Sequence, residues 1–133
     1  QGIAKVGGLG EVSAHQTSSL SKDFDFCVFL PSHGQIERLK TYYQVQQLPF
    51  HCKGKQKFSF TKNKKKRQEF RINFYKVKME DINVILLSGG NSFTRGFLDD
   101  KIVYNPDSLQ GKICFFSIGM KFYVNKLLKK KKL

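Results

Sequence analysis

Phe24-Asp25-Phe26-Cys27-Val28-Phe29-Leu30-Pro31-Ser32-His33-Gly34 is the stretch on which the fold turns. From Phe26 the run is continuously apolar, with β-formers throughout. That is the pattern of a strand buried on both faces, as in a parallel sheet covered by helices. Pro31-Ser32-His33-Gly34 ends it abruptly. The turn after a parallel strand lies on the ligand-binding edge of an α/β sheet. His33 therefore has two readings: a side chain lining a cleft, or a loop histidine bonded to backbone.

Asn83-Val84-Ile85-Leu86-Leu87 reads as a second buried strand, stopped by Ser88-Gly89-Gly90-Asn91. Between the two, residues 42–48 read as a short strand closed by Pro49. Residues 57–61 and 68–77 read as an antiparallel hairpin, with Asn63-Lys64-Lys65-Lys66 as its loop. Residues 91–107 read as a polar loop, and Arg95 within it as a surface arginine rather than a ligand contact. The segment 108–128 is apolar at helical spacing through Ile113, Phe116, Met120, Val124 and Leu127. Residues 11–22 read as a short, weakly amphipathic helix carrying Val12, Ala14 and Leu20. The order helix, strand, hairpin, strand, helix suits an α/β layer sheet with an inserted β-hairpin.

The chain has 133 residues and is 40% hydrophobic, enough for one modest core. No apolar run is long enough to cross a bilayer and no signal peptide is visible. Cys27, Cys52 and Cys114 are odd in number and lack paired spacing, which suggests neither a disulfide framework nor a zinc site and fits a reducing, cytoplasmic setting. His15 and His51 have no visible partners in the sequence. The chain starts at Gln1 and ends in Lys129-Lys130-Lys131-Lys132-Leu133, so both ends read as cut and a piece of a longer protein is expected.

Net charge is +14, from 24 basic and 10 acidic residues. The excess concentrates in residues 53–78, which hold eleven Lys/Arg against the single acid Glu69. Such a run with interleaved aromatics fits a small nucleic-acid-binding module. The period of two in Phe70, Ile72 and Phe74 fits better a hairpin with one aromatic face and one solvated, charged face.

Lys5-Val6-Gly7-Gly8-Leu9-Gly10-Glu11-Val12 is a glycine-rich turn opening the first helix. Glycines let backbone approach a ligand closely, and the first N–H groups of a helix are unpartnered and partly positive, so an anion satisfies them. A lysine beside that positive end is unfavourable unless an anion is bound. The segment is neither a Walker A loop nor G-x-G-x-x-G. A helix start with Lys5 in water is the alternative.

That octapeptide resembles the Lys-x-Gly-Gly-Leu-(Gly/Ala)-(Asp/Glu)-Val signature of glycogen and starch synthases. Residues 24–34 resemble the second strand of that fold, with its Pro-x-(Tyr/His)-Gly turn, and residues 107–124, including Phe115-Phe116-Ser117, look like a long helix of the same domain. The resemblance implies a partial Rossmann-like sheet from the N-terminal domain of a GT-B glucosyltransferase. Its first strand, C-terminal domain, catalytic glutamate and His-Asp-Trp region lie outside this chain. Residues 1–133 would be a fragment of that catalytic domain, with a basic β-hairpin insertion over 53–78. The implied reaction moves glucose from ADP-glucose or UDP-glucose to the non-reducing end of an α-1,4-glucan with retention, without cofactor or metal. No catalytic residue falls in this chain, so the fragment alone is expected to be inactive and poorly stable. By motif matching, Lys5 would contact the nucleotide-sugar phosphates, and Gly7, Gly8 and Gly10 would line the cleft. Asp107 matches a family acid near the acceptor path, or else is a helix N-cap in Asn105-Pro106-Asp107-Ser108. The family's basic residue in the third segment falls at Gly111 or Lys112. Gln16 and Ser19 replace apolar residues of the family's first helix.

Overall fold

The computed structural model describes residues 27–131, and of Lys131 its backbone alone; the glycine-rich turn and the expected helix at 11–22 lie outside them. The described chain is a mixed α/β layer. Strand β1 (Cys27–Pro31) leads to helix α1 (Ile36–Tyr42). The hairpin strands β2 (Val45–Gln56) and β3 (Gln68–Met79) and then β4 (Ile82–Gly89) follow. Helices α2 (Ser92–Leu98) and α3 (Leu109–Lys131) complete the order. The sheet order is β1-β4-β3-β2; β1 runs parallel to β4, and the other pairings are antiparallel.

Alternation assigns the two faces. Phe70, Ile72 and Phe74 of β3 and Ile85 and Leu87 of β4 form a core with Leu98 of α2 and Phe115 of α3. Val28 and Leu30 of β1, Val77, Val84 and Leu86 form a second core on the opposite face, closed by Leu39 of α1. The strongly apolar strands expected at 26–30 and 83–87 are thus the parallel pair, buried on both sides.

Four expectations need correction. Residues 57–61 are not a strand. The ladder partner of Gln68–Phe70 is Gly54–Gln56, so the hairpin is made of Val45–Gln56 and Gln68–Met79. Phe58 and Phe60 alternate because both fold back onto Phe115, with ring centroids 5.2 and 5.8 Å away. Pro49 does not close a strand either. β2 runs past it through a bulge between Gln47 and His51, the place where an edge strand tolerates a residue without an N–H.

The polar loop at 91–107 contains α2. Asn91 caps it, its Oδ1 accepting from the Thr94 N–H at 3.0 Å, and Phe93, Phe97 and Leu98 give it an apolar side. The apolar stripe of α3 is also rotated from the expected one. Gly111, Lys112, Phe115 and Gly119 face inward, whereas Ile113, Val124 and Leu127 are exposed. Small size decides this: a Cβ on Gly119 would stand 2.4 Å from Leu87, so the bare backbone fixes which side meets the sheet. Helix α1, not anticipated from the residues, completes the second core through Leu39.

Candidate functional site

The carboxyl ends of β1 and β4 lie side by side, Pro31 opposite Leu87. Ligands of open α/β sheets bind outside this edge. Three segments bring polar side chains there: the turn Ser32-His33-Gly34 after β1, Ser88-Gly89 at the end of β4, and Asp99-Asp100 after α2. Helix α3 adds Lys112.

Local chain geometry explains how they meet. His33 and Gly34 both adopt left-handed backbone, φ 51° and 71°, which reverses the chain directly after the strand. A Cβ on Gly34 would lie 2.6 Å from the carbonyl oxygen of Asp99, so the turn and the α2 exit are packed backbone to backbone. Gly89 does the same for the start of α2, since a Cβ there would meet the Arg95 nitrogen at 2.2 Å.

Two networks result. In the first, the Asp99 carboxylate accepts from Ser32 Oγ, from Ser88 Oγ at 2.8 Å and from the Gly89 N–H at 3.0 Å. One side chain thereby ties the β1 turn to the β4 end. In the second, Lys112 Nζ, on a side chain only 3% exposed, stands 2.9 Å from His33 Nδ1 and donates to the Asp100 carbonyl at 3.0 Å. The Asp100 carboxylate accepts from Ser108 Oγ at 2.6 Å and Asn105 Nδ2 at 2.8 Å.

Titration behaviour follows from this packing. Burial, with the Lys112 charge second, lowers His33 to about 4, against a smaller opposing pull from Asp100. At neutral pH the imidazole is therefore neutral, and its Nδ1 accepts from Lys112. Burial lowers Lys112 itself, with Asp100 and Asp99 opposing. The Ser108 hydroxyl, and then the Ile102 N–H, hold Asp100 below the usual carboxylate range. No buried side-chain polar atom among the described residues lacks a partner. This cluster is chemically a rigid polar platform rather than an acid–base pair awaiting a proton.

Of the residues singled out in the sequence, Lys5, Gly7, Gly8 and Gly10 fall outside the described residues. His33 lies within the platform, 8% exposed, with its N–H bonded to the Leu98 carbonyl at 3.0 Å. Asp107 is exposed in the turn before α3, its N–H held by Asn105 Oδ1 at 3.1 Å. The carbonyl taking the first helical bond of α3 belongs to Ser108, which receives the Lys112 N–H at 2.9 Å. Of the Gly111–Lys112 pair, Lys112 enters the platform, and Gly111 makes room for the Phe97 ring. Sequence reasoning passed over Ser32, Ser88, Asp99 and Asp100. The available signal was hydroxyls at two strand ends and an acidic pair just beyond a capped helix. Arg95 is exposed.

Among the described residues there is no cluster able to hold a metal ion, and no helix long and apolar enough to cross a membrane. A family model, described as the starch synthase catalytic domain, matches residues 1–132. No curated protein and no solved structure matches the chain.

Proposed function

The chain belongs to the starch synthase catalytic domain family, and from that membership we propose that it forms part of a retaining glucosyltransferase. The donor is ADP-glucose or UDP-glucose and the acceptor the non-reducing end of an α-1,4-glucan. The observation carrying this reading is the family match across residues 1–132, which includes the glycine-rich turn.

In the proposed mechanism Lys5 and the backbone N–H groups of Gly7, Gly8 and Gly10 receive the diphosphate. Charge on the departing nucleoside diphosphate grows as the glycosidic bond to it breaks. Fixed donors aimed at that charge are the largest contribution a protein makes to such a step. The Asp99 and Lys112 networks support the reading by holding the two strand ends of this edge rigid. His33 acts as a positioning residue through its bond to Lys112, and Asp107 lies on the acceptor side. The second lobe of the GT-B fold supplies the catalytic glutamate and the base pocket, so this piece alone transfers no glucose.

The test is glucose transfer to glycogen by the full-length protein. Lys5→Ala should lower kcat/KM by about two orders of magnitude, the scale of losing one donor to a developing anion, with folding unchanged. Unaltered kcat/KM would defeat the proposal. The second reading, a nucleic-acid module, draws on the basic hairpin. It requires that charge reversal at residues 64–67 abolish oligonucleotide binding and that the binding depend steeply on salt.

A further inference from the structure

The β2 bulge opens a hollow of about 380 Å³ beside Arg71 and Asn73, with Asn73 across the ladder from Ser88 of the platform. Gln47, Pro49, Phe50, His51, Arg71 and Asn73 line it. Its electrostatics are unusual. Register sets Lys53 directly opposite Arg71, and period two puts His51 on the same face. Arg71 Nη2 stands 3.3 Å from His51 Nδ1. Like charges directly opposite in a sheet are destabilising. The neighbouring cross-strand pair is of opposite sign, since Lys55 stands opposite Glu69. Lys53 and Arg71 face no acid across the ladder, and the His51 Nδ1 accepts from the Arg71 guanidinium, which keeps that ring nitrogen unprotonated.

The guanidinium is also held in place. The stem of Arg71 crosses Gly90, where a Cβ would come within 2.4 Å of its Cγ and 2.9 Å of Asn73 Oδ1. The Arg71 backbone N–H bonds Thr94 Oγ1 at 3.1 Å, and its carbonyl accepts from the Gly90 N–H at 2.7 Å. A planar fork fixed at its root, with the Lys53 side chain opposite and the His51 ring beside it, matches the geometry of a phosphate.

We propose that this hollow seats a small phosphomonoester dianion carried on a hydroxyl-rich body, a sugar phosphate being the simplest case. Arg71, His51 and Lys53 take the phosphate. The amides of Gln47 and Asn73 offer donors and acceptors to hydroxyls, and Pro49 forms the apolar wall against which a sugar ring lies; the Phe50 ring is turned to the opposite face, against Phe74 and Tyr123. The site shares no residue with the proposed diphosphate turn, so it stands or falls separately.

The experiment is a titration of the isotopically labelled chain with glucose 1-phosphate and with inorganic phosphate, followed residue by residue by NMR. Saturable shifts confined to residues 47–53, 71–73 and 90 are expected. Arg71→Gln should weaken binding roughly tenfold or more, the scale of a lost charge-assisted bond. Lys53→Gln, at an exposed position outside both cores, should weaken it too and covers the case in which the Arg71 variant does not fold. The proposal is overturned if the shifts do not saturate, or if sodium chloride at equal ionic strength reproduces them. It is equally overturned if Lys64→Gln in the hairpin loop weakens binding as much, or if a single-stranded oligonucleotide binds the same residues more tightly than the sugar phosphate.

Discussion

Replacing Asp99 by alanine should loosen the carboxyl edge of the parallel strands more than any other polar change in the described chain. The carboxylate accepts from Ser32 Oγ, Ser88 Oγ and the Gly89 N–H. Hydrogen bonds to a charged group contribute about 1.5–3 kcal/mol each. The three do not add in full: Ser32 Oγ keeps the Leu98 carbonyl at 3.3 Å, and Asp99 is half-buried, so water replaces part of the loss. A net cost of about 3 kcal/mol remains, against a total stability of roughly 5–15 kcal/mol for a domain. Asp99→Asn, which keeps one acceptor oxygen, should cost about half as much. Urea unfolding measures both, and amide exchange at Ser32 and Gly89 reports where the opening occurs. A loss below about 1 kcal/mol for Asp99→Ala, with native exchange at both amides, would refute the view that this carboxylate ties β1 to β4.

Three further outcomes follow from the packing and titration. Because His33 is depressed to about 4 in the fold, its contribution is present above pH 6.5 and is lost as pH falls from there through 4. It amounts to about 2 kcal/mol after allowance for partial hydration; urea midpoints should fall across that window, and His33→Gln should flatten the fall. Phe115, fully buried among the rings of Phe58, Phe60, Phe70, Phe93 and Phe97, should cost about 3–5 kcal/mol on truncation to alanine, measured by the same unfolding assay. Gly119→Val should force α3 off Leu87, costing at least about 1–3 kcal/mol and lowering the melting temperature; an unchanged melt would contradict the close approach.

The parallel pair was legible because Val28–Leu30 and Val84–Leu87 are apolar in unbroken runs, a pattern that only a doubly covered strand needs. The hairpin was legible in kind but misplaced in register. Phe58 and Phe60 show strand alternation while lying outside any ladder, and Pro49 looked like a terminus although an edge strand absorbs it in a bulge. Helix α2 was hidden by its short length and by Gly96 and Asn91, although Asn91 is its N-cap. In α3 apolar periodicity favoured Ile113, Met120 and Val124. The inward side was decided instead by Gly111 and Gly119, whose missing side chains a hydropathy pattern does not register. Within the site, His33 stood out by its place after β1. Asp99 and Asp100 acquired meaning only once α2 existed to deliver them, and Lys112 only once α3 was turned toward them.

In the proposed function Lys5 faces the negative charge of a sugar nucleotide. Amine labelling of Lys5 in the full-length protein, quantified by mass spectrometry with and without ADP-glucose or UDP-glucose, reads out that contact. Protection of Lys5 by one of these donors, with surface lysines such as Lys64 labelled as before, is the predicted result. Equal labelling of Lys5 at saturating concentrations of both donors would contradict it.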